Sequence, residues 1–440
     1  MKRLLVIGTT GDYGDLDICI RAQEAGWDVR WFFLPTDRTK DIGKGLVQRV
    51  DDWRKWIRWA TLVLSTDNTK YTIELERFRK EGVMIVGATP ETAAWEMNRT
   101  LGQKIFKKAG IDTLPYKEFS DYDQAIAYVK RENRRFVSKP CGDEPDKSLS
   151  YVAKSGPDMV FQLMKWKKQQ KLKSSFIIQD FTPGVEMAVG GWFGPGGFNE
   201  GWLENWEEKA LMAGGMGPSV GESGTTMRYV KKSKLADKVL KPCEDAIEAA
   251  GYIGYIDVNC IIDDDGKPWP LEWTCRPGWP TLNIQQELHE GDFIEWLADL
   301  CEGRDSRRLL LDKVALGVVL AIPEYPYNKT PIEKMVGVPV YGLSPSLMSH
   351  VHPCQMMWGP APQEINGKIV EAPMMLTAGD YVLVASGAGD TVREARTKAY
   401  RTLEHLKAPS SPFWRPDIGM RLKKQLPEIQ AKGYATAMEF

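Results

Sequence analysis

The sequence predicts a multidomain protein of mixed α/β and α+β class, with a doubly wound parallel sheet at its N-terminus and an α+β unit at its C-terminus. Three observations predict it. The chain has 440 residues, more than one hydrophobic core holds, so roughly two to four domains are expected. Strand-like and helix-like segments alternate up to Pro90, the pattern of a parallel sheet. From Ala315 the alternation gives way to strands followed by one helix.

In order, residues 3–8 (RLLVIG) predict a buried strand, then a Gly-containing turn and a helix over 14–25. Residues 28–34 (DVRWFFL), 61–65 and 83–87 are the next strands. Pro90 to Arg99 forms a joint. A helix (98–109), a strand (116–119), a helix (121–131), strands at 135–140 and 149–153, a helix (157–171) and strands at 175–181 and 185–193 follow. Residues 194–224 are rich in Gly and Trp and predict loops and short strands. A helix over 233–250 leads to a strand pair, closed by helices at 281–288 and 291–302. ALGVVLAI (315–322), KIVEAP (368–373) and DYVLVASG (380–387) are strands. Thr391 caps a helix to Leu406, with Glu394 three residues on. The domains expected are 1–96, 97–310 with a lid of about 113–182, 311–408, and a peripheral tail, 409–440.

Hydrophobic residues make up 43% and charged residues 27%, with a net charge of −1. No global basic field points to nucleic acid. No apolar run reaches the roughly 18 residues of a membrane span. The N-terminal apolar run is short and meets Gly and Asp, which predicts a strand rather than a signal peptide. Seven scattered cysteines without a Cys-x-x-Cys fit reduced thiols in a cytoplasmic compartment. Trp53, Trp56 and Trp59 predict a packing stripe on one helix face.

Tyr252 to Gly278 carries the most chemistry. It predicts two strands joined by the tight turn Asp263–Gly266. The first holds an interior acid, Asp257. The second holds Glu272, Thr274 and Arg276 at alternating positions, which places all three on one face. Such groups are costly to bury without a ligand, and a divalent metal with a polyphosphate would satisfy them. The turn at Gly8–Gly11 offers a possible anion site at a helix start, but its glycines do not match the dinucleotide fingerprint. His350, His352 and Cys354 lie close together, yet no second cluster supplies a fourth zinc ligand, so substrate contacts or packing are expected there. No Gly-x-Ser-x-Gly elbow is present.

The chain resembles phosphoribosylamine–glycine ligases, which have the ATP-grasp fold. The segments that carry the resemblance are GATPETAAWEMNRTLGQKIFKKAGI (87–111), RFVSKP (135–140), IIQDFTPGVEMAV (177–189), Gly214-Gly215-Met216-Gly217, LEWTCRPG (271–278), ALGVVLA (315–321), GAGDTVREARTKAY (387–400) and RPDIG (415–419). The resemblance implies an ATP-dependent carboxylate–amine ligase working through an acylphosphate, with ATP and Mg2+ or Mn2+ as cofactors. It implies small-molecule partners, an amino acid or other carboxylate and an amine, in a monomer or homodimer.

The resemblance also implies roles. Lys139 and Arg99 would contact the nucleotide phosphates. The backbone at Gln179, Asp180 and Phe181 would meet the adenine edge, and Glu186 the ribose hydroxyls, since a carboxylate can accept from both. Glu272 would hold the metal, with Asp257 and Thr274 as further ligands. Arg276 would face the transferred phosphoryl, and Lys147 would be the lysine of the phosphate-covering loop. Gly8, Gly11, Gly214, Gly215, Met216, Gly217, Gly278 and Trp279 would line the substrate side.

The sequence departs from the family pattern at five places, the first being the N-terminal loop, Gly8 to Gly14, which lacks the family's usual Arg-Glu-His run. The covering loop, CGDEPDKSLS (141–150), has lost most glycines and gained Asp143, Glu144 and Asp146. Thr274 stands where the family has Asn. Trp279, Pro280 and Thr281 replace an acidic pair around a proline, and the loop before Gly214 is shortened to ENWEEKALMA (204–213). These changes predict a retained ATP half-reaction and a rewritten, more apolar acceptor pocket. A nucleotide-binding protein with a decayed site and a bicarbonate-using carboxylase are the alternatives.

Overall fold

The structure, a computed structural model, describes residues 2–9, 14–141, 150–169, 175–199, 201–304, 310–327 and 329–440. Gly11 and Lys147, and with them Asp143, Glu144 and Asp146, lie outside the described residues.

The N-terminal sheet is parallel. β1 (Arg3–Ile7), β2 (Asp28–Phe32), β3 (Leu62–Ser65) and β4 (Ile85–Val86) run in the order β2-β1-β3-β4. β1, β3 and β4 are nearly continuous apolar runs because both faces are covered, while β2 carries the half-buried Asp28 and Arg30. Leu4 and Val6 face the main core, while Leu5 and Ile7 pack with Trp53, Ile57 and Leu75. The tryptophan stripe is not on a regular helix. Trp53 opens a single 3-10 turn, Trp53–Lys55, and is fully buried. The rings of Trp56 and Trp59 stand edge to face at 5.4 Å, each against the Arg30 guanidinium.

Two helices meet at the joint. Thr89 and Thr92 form a capping box on the helix Pro90–Met97. Asn98 then breaks the helix and caps the next, Arg99–Lys108, through its side chain to the Leu101 N–H. Arg99 is therefore the first residue of a helix.

A small antiparallel sheet follows, in the order β5-β8-β6-β7: β5 (Tyr116–Phe119), β6 (Phe136–Pro140), β7 (Tyr151–Val152) and β8 (Phe176–Asp180). It has its own core. Phe119 and Phe136 pack with Ala125 and Val129 of the helix Tyr122–Glu132 and with Leu163 and Trp166 of the helix Gly156–Lys168.

The main sheet has nine strands. Its members are β9 (Val185–Gly194), β10 (Gly197–Phe198), β11 (Trp202–Glu207), β14 (Gly224–Val230), β15 (Gly254–Ile262), β16 (Pro268–Thr274), β17 (Val314–Ala321), β19 (Val351–Pro353) and β22 (Tyr381–Gly389), in the order β16-β15-β9-β11-β14-β17-β22-β19 with β10 on β9. β12 (Ala210–Met212) and β13 (Met216–Ser219) form a separate hairpin. β18 (Val336–Pro339), β20 (Met356–Ile365) and β21 (Lys368–Ala378) form a third small sheet.

Several expectations need correction. Residues 202–207, expected within a stretch of loops and short strands, and 224–230, for almost all of which the sequence predicts no element, are central strands of the main sheet. Their polar residues face a polar cleft, which hides the apolar alternation. The helix expected over 233–250 is split into Lys234–Val239 and Glu244–Ala249. Pro242 has no N–H to donate and crowds the carbonyl one turn back. The strands of 311–408 continue the same sheet through the β14–β17 pair. Residues 409–440 are not peripheral: Ile418, Leu422, Leu426, Ile429 and Tyr434 belong to the main core. Among the described residues, no helix is long and apolar enough to cross a membrane.

Candidate functional site

Strand register builds the site on one face of the main sheet. Along β9, Glu186, Ala188 and Gly190 share that face, since alternate residues point alike. On β15, Ile261, Asn259 and Asp257 stand opposite them. On β16, Glu272 pairs with Asn259 and Thr274 with Asp257. On β11, Asn205 pairs with Ala188, which brings Asn205 and Glu207 to the same face. The expected clustering of Asp257, Glu272 and Thr274 is present in the register.

Arg276 departs from it. β16 ends at Thr274, because the Cys275 N–H donates to Glu96 Oε2 at 2.8 Å and turns the chain out of the sheet. The Arg276 guanidinium pairs with Glu96 at 3.2 Å. The strand alternation therefore does not extend to Arg276.

The outer part of this face interleaves cations and acids. Arg99 lies 2.6 Å from Glu272. Lys209, just past β11, is 2.7 Å from Glu186, 3.3 Å from Glu207 and 3.6 Å from Glu272. Burial alone would lower the Lys209 ammonium, but these three carboxylates hold it well above the usual lysine range. Lys209 in turn holds Glu186 below the carboxylate range, against its burial. Lys139, on β6 of the small sheet, feels Glu272, Arg99, Lys209 and Glu186. Burial, aided by the neighbouring Arg99 and Lys209, pushes its ammonium down to about 8. The small sheet and the main sheet thus face each other across this cluster.

The inner part is acidic. Asp257 Oδ2 accepts from Asn205 Nδ2 and Tyr255 Oη, each at 2.9 Å. Asn259 Nδ2 donates to Glu207 Oε2 at 3.0 Å, and Thr225 Oγ1 to Glu222 Oε1 at 2.7 Å. Burial, reinforced by Glu207, pushes the Asp257 carboxyl up to about 7. Burial and the same neighbour push Glu222 well above the carboxylate range.

The expected adenine segment joins the two sheets. The Asp180 N–H donates to the Pro115 carbonyl at 2.9 Å, and the Asp180 carboxylate pairs with Arg134 at 2.5 Å. Gln179 is buried, and its Nε2 has no partner among the described residues. The Arg135 guanidinium lies 3.4 Å from the centre of the Phe181 ring.

Past the end of β16, the Trp279 ring lies 4.7 Å from that of the buried Tyr381, tilted by 48°. A Cβ on Gly14 would lie 3.4 Å from the Trp279 ring, so the backbone at Gly14 abuts this indole. A Cβ on Gly8 would collide with Asp15 Oδ2 at 2.2 Å. Gly278 packs on Thr281. Gly214, Gly215 and Gly217 all take positive φ, and the Gly214 N–H donates to Asp417 at 2.7 Å. Met212 and Met216 of this turn are exposed.

Among the described residues, no three His, Cys, Asp or Glu side chains come together as metal ligands. Glu272 with the Thr274 hydroxyl, at the edge of the cleft, instead suits an ion that keeps water and takes its other oxygens from phosphates, as magnesium does.

Sequence reasoning missed Lys209, Glu207, Asn205, Glu222 and Glu96. The shortened loop ENWEEKA held the first three, but only the β9–β11 register shows that they share the face of Glu186.

A parallel N-terminal sheet, a small antiparallel sheet and a large antiparallel sheet with an interleaved ionic cleft between the last two define the ATP-grasp fold. The chain is similar to phosphoribosylamine–glycine ligases. It is 23% identical to that of Salmonella typhimurium over 363 residues, 79% of this chain and 80% of the relative. It is 26% identical over 378 residues to the bifunctional purine biosynthetic protein of Pichia angusta, covering 80% of this chain but only 44% of that longer protein. The crystal structure of phosphoribosylamine–glycine ligase from Thermotoga maritima superposes with a TM-score of 0.72 at 20% identity, over 94% of this chain and 99% of that one. No family model matches the sequence.

Proposed function

We propose that the protein is an ATP-dependent carboxylate–amine ligase. The observation that carries this reading is the cleft in which Arg99, Lys139 and Lys209 alternate with Glu186 and Glu272. Cations spaced between carboxylates suit a polyphosphate, its sugar and its metal at once. A carboxylate substrate attacks the γ-phosphorus, the bond to ADP breaks, and an acylphosphate forms. The amine nitrogen then bonds to the acyl carbon, phosphate leaves, and the amine gives up its proton. Most of the catalysis is positioning and charge neutralisation.

In this reading Lys139 and Arg99 bind phosphates, and Glu186 takes the ribose hydroxyls. The backbone of Gln179 to Phe181 meets the adenine. Glu272, with Thr274 and Asp257 behind it, would hold Mg2+ or Mn2+, which supplies further charge neutralisation when bound. Arg276 stands beside the acylphosphate and is oriented by Glu96. Gly8, Gly214 to Gly217, Gly278 and Trp279 line the acceptor side. There Trp279 and Tyr381 favour a substrate other than glycine with phosphoribosylamine. The substrate classes are an amino acid and a nucleotide-derived or other amine, in the cytoplasm.

The test is ADP release with magnesium across a panel of carboxylates and amines, glycine with phosphoribosylamine and bicarbonate included. Release that needs both a carboxylate and an amine is expected. Tight ATP binding without release for every pair would overturn the reading in favour of a non-catalytic nucleotide binder.

A further inference from the structure

Beneath the nucleotide cleft, three buried oxygens stand without partners among the described residues; one belongs to Asp257, which the ligase reading sets behind Glu272, and the other two are not used by that reading. The floor of the pit they line is Ala188 and Gly190 of β9, the smallest residues on that face. Asn205 and Asn259 both pair with Ala188, one from each side, so their Cα atoms stand two strand spacings or about 10 Å apart. Asp257 pairs with Gly190. A Cβ at position 190 would meet Tyr255 Oη at 2.1 Å, so glycine there makes room for the hydroxyl that donates to Asp257.

Two hydrogen bonds cross above this floor, from Asn205 to Asp257 and from Asn259 to Glu207. They fix both amides, because only the Nδ2 side can donate to a carboxylate. Three oxygens are then left over: Asp257 Oδ1, Asn205 Oδ1 and Asn259 Oδ1. Each is buried, and none has a hydrogen-bond partner among the described residues. The three residues are 3%, 1% and 3% exposed. The carboxyls of Glu207 and the buried Glu222 lie nearby, and among the described residues no cation pairs with these oxygens to displace one bound there.

We propose that this pit binds a monovalent cation of the potassium or ammonium class, held by Asp257 Oδ1, Asn205 Oδ1 and Asn259 Oδ1. Buried oxygens without donors are costly. A water molecule donates only two hydrogen bonds and leaves the carboxylate charge uncompensated. A magnesium ion dehydrates reluctantly and prefers more carboxylates or phosphates, and no three acids converge here. One carboxylate oxygen with two amide oxygens matches a singly charged ion that sheds its water readily. The inference shares Asp257 with the ligase reading, and its test is run without nucleotide or magnesium so that the failure of one is distinguishable from the failure of the other.

The test uses the full chain without ATP or magnesium. Its thermal midpoint is compared in potassium, ammonium and tetramethylammonium chlorides at equal ionic strength. Potassium or ammonium should raise the midpoint by about 2 °C over tetramethylammonium, and whichever raises it more is the resident ion. In Asn205→Leu the difference should vanish. Equal midpoints in all three salts, or a difference that survives in Asn205→Leu, would overturn the proposal. Crystals of the unaltered protein soaked in rubidium give a second measurement if that variant does not fold. An anomalous peak between Asn205, Asp257 and Asn259 is expected, and no peak there refutes the site.

Discussion

Arg99 Nη1 lies 2.6 Å from Glu272 Oε2, joining the first residue of a helix to the third-from-last residue of β16 across 173 positions of the chain. Glu272 thereby ties the phosphate-binding side of the cleft to its metal side. In Glu272→Gln the amide keeps the shape but loses the charge. ADP-forming turnover should fall by about 100-fold or more. Calorimetry should show ATP binding that no longer tightens when magnesium is added. Unchanged turnover would refute the role of Glu272.

Lys139 gives a pH dependence. Its ammonium is pushed down to about 8 by burial, so the free protein loses this cation as pH rises through 8. ATP affinity should therefore weaken between about pH 7.5 and 9.5. The linkage to folding has the opposite sign. Between about 8 and the ordinary lysine value the unfolded chain binds the extra proton, so this group makes the fold relatively more stable as pH rises. Lys139→Arg keeps its charge throughout and should flatten the affinity profile measured by titration with ATP.

A second electrostatic prediction concerns the join between the N-terminal helix and the C-terminal strands. Asp17 is buried and accepts from Arg21 at 2.7 Å, Gln286 at 2.6 Å, Asn283 at 3.2 Å and the His352 ring at 2.8 Å. Burial would raise its carboxyl, but Arg21 and His352 hold it well below the usual range. A depressed carboxyl stabilises above its unfolded value and loses that contribution as pH falls below about 4. Asp17→Ala should cost about 3–5 kcal/mol in urea unfolding at neutral pH. Its acid limb should also be shallower than that of the unaltered chain.

The sequence made the parallel sheet legible because β1, β3 and β4 are apolar runs buried on both faces. It made Glu272 legible because a charge inside a strand is conspicuous. It hid β11. WLENWE alternates, but Asn205 and Glu207 point into a polar cleft, so the strand resembles a loop. The ionic cleft was half visible for the same reason: Lys209 and Glu207 join Glu186 only through pairing with β9. The tail was misjudged because its apolar residues at 418, 422, 426 and 429 are diluted by lysines and prolines that face solvent.

That tail supplies the next prediction. Arg415 is buried, 2.9 Å from Glu208 and 2.6 Å from Asp417. Glu208 also takes Arg421 at 3.1 Å. The pairs pin residues 409–440 beside the Gly214 turn, since Asp417 accepts from the Gly214 N–H. Arg415→Ala leaves Glu208 buried with one partner fewer and should cost about 3–5 kcal/mol in denaturant unfolding. Arg415→Lys should recover part of it.

Trp279 decides whether the acceptor side was rewritten. Its ring lies against Tyr381, tilted by 48°, and the backbone at Gly14 abuts it. None of the ion pairs with Glu186 or Glu272 involves it. In Trp279→Ala the KM for the preferred carboxylate or amine should rise about tenfold or more, since a buried aromatic surface is lost. The Kd for ATP should stay the same. An equal loss of ATP affinity would place Trp279 in the nucleotide site instead. A gain of activity with glycine and phosphoribosylamine would show that the indole excludes that pair.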